Sequence, residues 1–325
     1  ASTDLKIRSR QTIRLQKKTI SVKPSYVFFN NRLEGKSRMV KLADQDIQTR
    51  EVLDWKGLHV FHFPFSSCSQ KLRIFLNLKD VEWEPHLIDL MANENLTDHF
   101  LGINPRGLVP VLVHDGDVHI ESNDILTYLE SVSPEPRLIP EGLENKVSEL
   151  LKHEDDLHFD LRALSFRFVF NPPHDPKSPE DLKVYATAGS GTVGGKVDQH
   201  AGVEIDFWEQ YASEGVTDEV AKSAAKKFRD VFTELDNTLA DQEFLLAEGF
   251  SVLDIAWFVY ANRLMLTGYP IGRLHPKLGA WYDRLAKISE IAKEVVLPPP
   301  VKKKFDATRA QHLADGVHLE AVVGL

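Results

Sequence analysis

Three short segments carry side chains that could stabilise a thiolate and grip an extended peptide. Phe65-Ser66-Ser67-Cys68-Ser69-Gln70-Lys71-Leu72-Arg73 reads as a strand-to-helix junction. Backbone N–H groups at a helix start favour negative charge, so a thiolate is stabilised there and a cysteine at that place has its pKa lowered. Lys71 and Arg73 add positive potential, and serine hydroxyls can donate to a bound thiolate. Leu108-Val109-Pro110 precedes a strand. A cis Val109-Pro110 bond would turn the main-chain N–H and C=O of Val109 outward, free to pair with an extended peptide. Glu121-Ser122 opens a helix after a strand. The helix start and the Ser122 hydroxyl suit a carboxylate, and Glu121 can accept an ammonium. Each segment also has a plain structural reading: serines capping a helix beside a small core cysteine, a turn proline at a strand start, and a second N-cap.

Taken together, the segments describe a site for a peptide with an α-amino-acid head at one end and a thiol at the other, a description that fits glutathione. The elements that must hold them follow from the pattern around them. Leu58-His59-Val60-Phe61-His62-Phe63 reads as a buried strand ended by Pro64, and Leu72, Phe75 and Leu76 mark one apolar helix face. Residues 82–88 read as a strand and 94–101 as a short helix. Asn104-Pro105-Arg106-Gly107 is a turn running into Val111-Leu112-Val113. Asp115-Gly116 signals a hairpin returning through Val118-His119-Ile120, and Ile125, Leu126 and Leu129 face a core from the next helix. The order is β-α-β-α-β-β-α.

After Pro134, Pro136 and Pro140 the pattern is helical: one long helix over 143–170, then 203–212, 218–240, 253–266 and 278–293. Ser251-Val252-Leu253-Asp254 is a capping-box-like start. Residues 171–202, rich in proline and glycine, read as an insertion. Pro298-Pro299-Pro300 and three lysines end the packed part. The expected organisation is a basic N-terminal extension (1–56), an α/β domain (57–133), an all-helical domain (141–300) carrying the 171–202 insertion, and a C-terminal tail (301–325) with room for one more helix.

Composition narrows the field. Of 325 residues 42% are hydrophobic and 27% charged, and the single cysteine rules out an intrachain disulfide and a four-cysteine zinc site. Net charge is −9, but residues 1–41 carry +9 and the remainder −18; an acidic body argues against general nucleic-acid binding. The longest apolar run, 255–261, is too short to span a bilayer. Gly189-Ser190-Gly191-Thr192-Val193-Gly194 matches a dinucleotide fingerprint, with 182–187 as its possible strand, but no clear helix opens at Gly194. Lys196 is followed by Val197, which fails a phosphate-binding loop. His153-Glu154 and His158 fail a zinc-protease motif on spacing, and no metal is expected. His158, Phe159, Arg162, Phe166, Trp257 and Tyr260 are aromatic or polar residues that fit core or surface as well as a pocket.

Residues 57–295 resemble the glutathione transferase superfamily, strongly in the first half. Ser66-Ser67-Cys68-Ser69 with Leu72-Arg73-Ile74 is similar to the zeta-class pattern and to the related tetrachlorohydroquinone dehalogenases. Asn104-Pro105-Arg106-Gly107, Val109-Pro110 and Glu121-Ser122 follow in family order. The insertion is more like that of the dehalogenase-type and lignin β-etherase-type transferases, or of the ganglioside-induced differentiation-associated proteins; compact isomerases of the class lack it and the extension. The resemblance implies a thioredoxin-like α/β N-terminal domain plus an all-α C-terminal domain, and a cytoplasmic homodimer of detoxification type. It implies glutathione as cosubstrate and a small, aromatic or unsaturated electrophile as partner, with no nucleic acid and no membrane. Ser66 or Cys68 would face the glutathione sulfur with Ser67 nearby. Val109, set by Pro110 in the same site, would pair with the cysteinyl backbone, and Glu121 and Ser122 would hold the γ-glutamyl head. Conjugation, ether cleavage or reductive dehalogenation follows; a maleylacetoacetate-type cis-trans isomerase and a non-enzymatic interaction protein are the alternatives.

Overall fold

The alternation in Leu58–His62 (β1) sends Val60 to one face of a sheet and Phe61 to the other, and both faces are covered. In the computed structural model, which describes residues 41–170 and 177–325, β1 leads into a helix at Ser67–Lys79 (α1) that stops at Asp80 in the left-handed region. Then come Glu84–Leu87 (β2), a short helix Asp98–Leu101 (α2), Val111–His114 (β3), Asp117–His119 (β4) and Ser122–Val132 (α3). Strand order is β2-β1-β3-β4. β1 and β2 are parallel, while the β1–β3 and β3–β4 pairs are antiparallel, with Phe61 opposite Val111. Asp115 and Gly116 take φ of 51° and 89°, the two left-handed residues that a tight hairpin requires. This is the expected β-α-β-α-β-β-α order.

The helical half contains Glu144–Asp155 (α4), His158–Phe168 (α5), Pro179–Thr187 (α6), His200–Glu214 (α7), Asp218–Thr238 (α8), Val252–Thr267 (α9), Ile271–Leu274 (α10), Pro276–Leu285 (α11), Ser289–Val295 (α12), Pro299–Ala314 (α13) and Leu319–Val323 (α14). α9 is the buried axis. Its first turn is closed by the reciprocal Ser251–Asp254 cap, and Asp254 also accepts from Leu245 N–H and, at 2.9 Å, from Trp281 Nε1. One apolar core runs from Val60 and Leu112 through α1 and α3 into α5, α8 and α9, so the two halves share their packing.

Five expectations need correction. The helix expected over 143–170 is two: Leu157 N–H bonds back to Glu154 at i−3, a tightened turn that leaves the apolar period intact and so hides the break. The helix over 278–293 breaks in the same way, with Ile288 N–H bonding Leu285. The strand suggested at 182–187 belongs to α6, whose Ser178–Asp181 capping box and Pro179 at the first helical position dictate a helix. The extension does not run to 56 as a separate arm. Leu42, Ile47 and Val52 are buried against Phe61, Val113 and Val118, and Leu42 N–H bonds Val118 on β4. Nor does packing end at 300, since α13 and α14 follow and Leu319 is in the main core. The rest of the basic extension, 1–40, and residues 171–176 of the insertion lie outside the described residues.

Candidate active site

The β1–α1 turn is fastened at each exposed carbonyl. Arg73 donates to Phe63 O and Pro64 O, and Arg263 from α9 donates to Phe65 O. Ser66 is the N-cap of α1 and its Oγ accepts from Ser69 N–H at 3.2 Å. That bond uses an oxygen lone pair and leaves the hydroxyl hydrogen free to donate. Ser67 and Cys68 occupy the first helical positions, where backbone N–H groups have no intrahelical acceptor.

Cys68 Sγ lies 3.9 Å from His158 Nδ1 on α5, and that nitrogen is 3.2 Å from the Tyr260 hydroxyl of α9. The lowered thiol pKa expected from the helix start is not what the surroundings produce. Burial pushes Cys68 up to about 11; Lys71 and the Ser122 hydroxyl oppose this, while Asp155 and Glu154 add to it. Lys71 is itself neutralised by Glu154 at 3.0 Å, both fully buried, and its ammonium also donates to Asn123. Arg73 is turned away to Glu294 at 2.6 Å. Neither cation is spare for the thiol. His158 is driven down to about 4 by burial and by Arg162, so a neutral imidazole faces the sulfur.

Val109-Pro110 is cis. Among the described residues the main-chain N–H and C=O of Val109 enter no hydrogen bond. The loop before it is pinned by Asn104 to Leu108 O and by Asn95 to Gly107 O. Gly107 has φ of 60°, and a Cβ there would sit 3.1 Å from both Leu101 and Tyr185. Glu121 also has positive φ, 66°, at the N-cap of α3, and its carboxylate accepts from Arg106 at 2.6 Å.

Ser66, Ser67, Cys68, Val109, Pro110, Glu121 and Ser122 all line one cavity of about 630 Å³. Its other walls come from α5, the insertion, α7 and α13. His158, Phe159, Arg162 and Phe166 face it, whereas Trp257 and Tyr260 are core residues. Arg162 is clamped by two bonds to Glu204, at 2.7 and 3.0 Å. Burial alone would raise Glu204, but the Arg162 charge and bonds from Arg162 and His200 hold it at about 2. Sequence reasoning missed Arg106, whose guanidinium joins Glu121 to Asp198 of the insertion, and it missed Lys177, Glu204 and Phe305. Arg106 stands inside a motif that was read as a turn, and the other three belong to segments that carry no motif.

The chain matches the family model for the glutathione S-transferase N-terminal domain over residues 65–132 and that for the C-terminal domain over 209–284. Protein LigF of Sphingobium sp. is 27% identical over 274 residues, 79% of this chain and 96% of LigF. The crystal structure of β-etherase LigF superposes with a TM-score of 0.62 over 73% of this chain and 98% of that one, at 27% identity. Both glutathione S-transferase domains are thus matched in this chain, in family order. A second kind of relative matches a shorter stretch at higher identity. Glutathione S-transferase 1 of Dianthus caryophyllus and a zeta-class enzyme of Euphorbia esula are each 42% identical over 89 residues. That is 27% of this chain and 40% of each relative, so the match spans less than half the length of these plant transferases. The walls built by α5, the insertion and the start of α7 fall between the two matched domains.

Proposed function

We propose that the protein is a glutathione-dependent transferase in which the glutathione sulfur attacks a small aromatic electrophile, with ether cleavage as the reaction type. The observation that carries this is the joining of three separate segments, at Ser66–Cys68, Val109-Pro110 and Glu121-Ser122, on one cavity that Phe159, Phe166, Trp208 and Phe305 also line. A protein that worked only as a scaffold would gain nothing from that convergence. The choice of ether cleavage over isomerisation follows the likeness to β-etherase LigF, which covers 79% of this chain, whereas the zeta-class likeness covers 27% of it.

In this reading the α1 N–H groups of Ser67 and Cys68 and the hydroxyl of Ser66 stabilise the glutathione thiolate. Cys68, held as a thiol by burial, is a neutral neighbour or hydrogen-bond donor and not the nucleophile. Val109 pairs with the cysteinyl backbone, and Glu121 and Ser122 receive the γ-glutamyl head. The glutathione proton passes to solvent. Sulfur then bonds to the carbon bearing the aryloxy group as the C–O pair leaves with the aryloxide, which is protonated by water. The working form is a cytoplasmic homodimer, as for the family; no helix among the described residues is long and apolar enough to cross a membrane.

Calorimetric titration with glutathione, followed by aryloxide release from a model β-aryl ether, tests the reading. Micromolar to low-millimolar binding and glutathione-dependent release, both weakened at least tenfold in Ser66→Ala, are expected. Absence of binding at 10 mM-scale glutathione (roughly the upper limit of a useful affinity) would sink it.

A further inference from the structure

Five lysine and arginine side chains among the described residues are buried: Lys71, Arg73, Lys79, Lys177 and Arg263. Three face carboxylates, those of Glu154, Glu294 and Glu130 respectively. Arg263 and Lys177 have no such partner among the described residues, and both line the cavity. Arg263 has a structural task, since it holds the Phe65 carbonyl at the β1–α1 turn. Lys177 does not. It is 8% exposed, donates to the neutral amide oxygen of Asn93 at 2.5 Å, and lies 5.0 Å from the Trp208 ring.

The acidic groups in its field are already engaged. Asp181 caps Ser178 and accepts from Asn93 Nδ2, and Glu204 is clamped by Arg162. Burial lowers Lys177 to about 8, with Asp181 and Glu204 opposing and Arg162 adding to the fall. At neutral pH the ammonium is therefore mostly charged. A buried charge without a counter-ion is strongly unfavourable, and the imbalance is relieved when a ligand supplies the missing charge.

We propose that Lys177 binds an acidic oxygen, a carboxylate or aryloxide, of the ligand that fills the cavity, and that the 171–202 insertion delivers this contact. The inference rests on the glutathione transferase reading. Two molecules in that reaction could supply the oxygen: glutathione, through its glycyl carboxylate, and the electrophile, through an acid group on its ring.

The test compares wild type with Lys177→Met and Lys177→Arg. Glutathione is titrated against its glycyl ethyl ester, and turnover is followed for an aryl ether carrying a free carboxylate against its methyl ester. Wild type should prefer one acid over its ester by roughly tenfold or more, as for a charged hydrogen bond. Lys177→Met should erase that preference and Lys177→Arg should keep it. Loss confined to the glutathione pair assigns the contact to the tripeptide, and loss confined to the ether pair assigns it to the electrophile. Asn93→Asp, which gives Lys177 an internal counter-ion, should weaken the same acid and supplies an independent reading if Lys177→Met does not fold. A wild type that binds glutathione but shows neither preference, or a Lys177→Met protein that keeps both, overturns the inference. A wild type that binds no glutathione overturns the transferase reading instead.

Discussion

Cys68 should titrate as an unusually weak acid, and the consequence is large enough to measure. Its ordinary value of 9.0 is raised to about 11 because the thiol is buried beside Glu154 and Asp155 while Lys71 is committed to Glu154. At pH 8 a thiol of that strength is about one part in a thousand thiolate, against about one part in eleven for an unperturbed one, a loss of nearly a hundredfold. Since the chain has a single cysteine, alkylation by iodoacetamide read by intact mass reports this group alone. Initial rates should rise about tenfold per pH unit and show no plateau below pH of about 10. The pH midpoint is the diagnostic quantity, because restricted access slows alkylation without moving it. Glu154→Gln removes one of the carboxylates that raise the thiol and frees the Lys71 charge, so the midpoint should fall. Cys68→Ala should retain most glutathione-dependent turnover. A plateau near pH 8 or below would refute the reasoning and return Cys68 to the role of nucleophile.

The buried Lys71–Glu154 pair should cost about 3–5 kcal/mol of stability in urea when only Lys71→Met or only Glu154→Gln is made, while the double variant Lys71→Met/Glu154→Leu recovers most of it; additive losses would contradict the pairing. Glu204 falls from 4.5 unfolded to about 2 folded, so its stabilisation, about 3 kcal/mol, is fully present above pH of about 4.5 and is lost as pH falls towards about 2. Acid titration of Glu204→Gln should lack that component, and an unchanged acid profile would count against it. Asp46→Ala removes the acceptor for Thr192 Oγ1 at 2.6 Å and Gly195 N–H at 3.0 Å, so amide exchange across residues 192–197 should quicken by about tenfold, with little change in α9.

The thiol half was legible because its constraints are local. A strand ended by Pro64, a serine cap, a hairpin at Asp115-Gly116 and a helix opened at Ser122 each follow from residues within one turn of one another, and the observed elements fall where these signals put them. Where length was decided by a single tightened turn, as at Leu157 and Ile288, periodicity could not see it. The site residues in the three segments do meet on one cavity. What the sequence concealed was their charge environment. Lys71 and Arg73 look like free cations beside Cys68 until the fold brings up Glu154 from 83 residues away and Glu294 from 221. Burial of the thiol, which reverses its expected pKa shift, is likewise a property of packing between distant helices.

The insertion illustrates the same division from the other side. Its Pro/Gly-rich composition suggests a loop independent of the body, yet it is tied to three separated parts of the chain. Thr192 and Gly195 hold Asp46, Asp198 holds Arg106 and through it Glu121, and Tyr185 donates to the Arg106 carbonyl at 2.6 Å. Arg106 is therefore fixed from two sides by a segment that also brings Lys177 to the cavity wall. A change that loosened residues 192–198 would shift the carboxylate proposed to receive the γ-glutamyl head as well as the cation proposed to receive an acid. Changes confined to Lys177 or Trp208 would leave the Arg106–Glu121 contact in place. The fold thus separates two mutable properties, with the hold on the γ-glutamyl head set by the Arg106 junction and the acceptance of an acidic oxygen, from tripeptide or electrophile, set by Lys177.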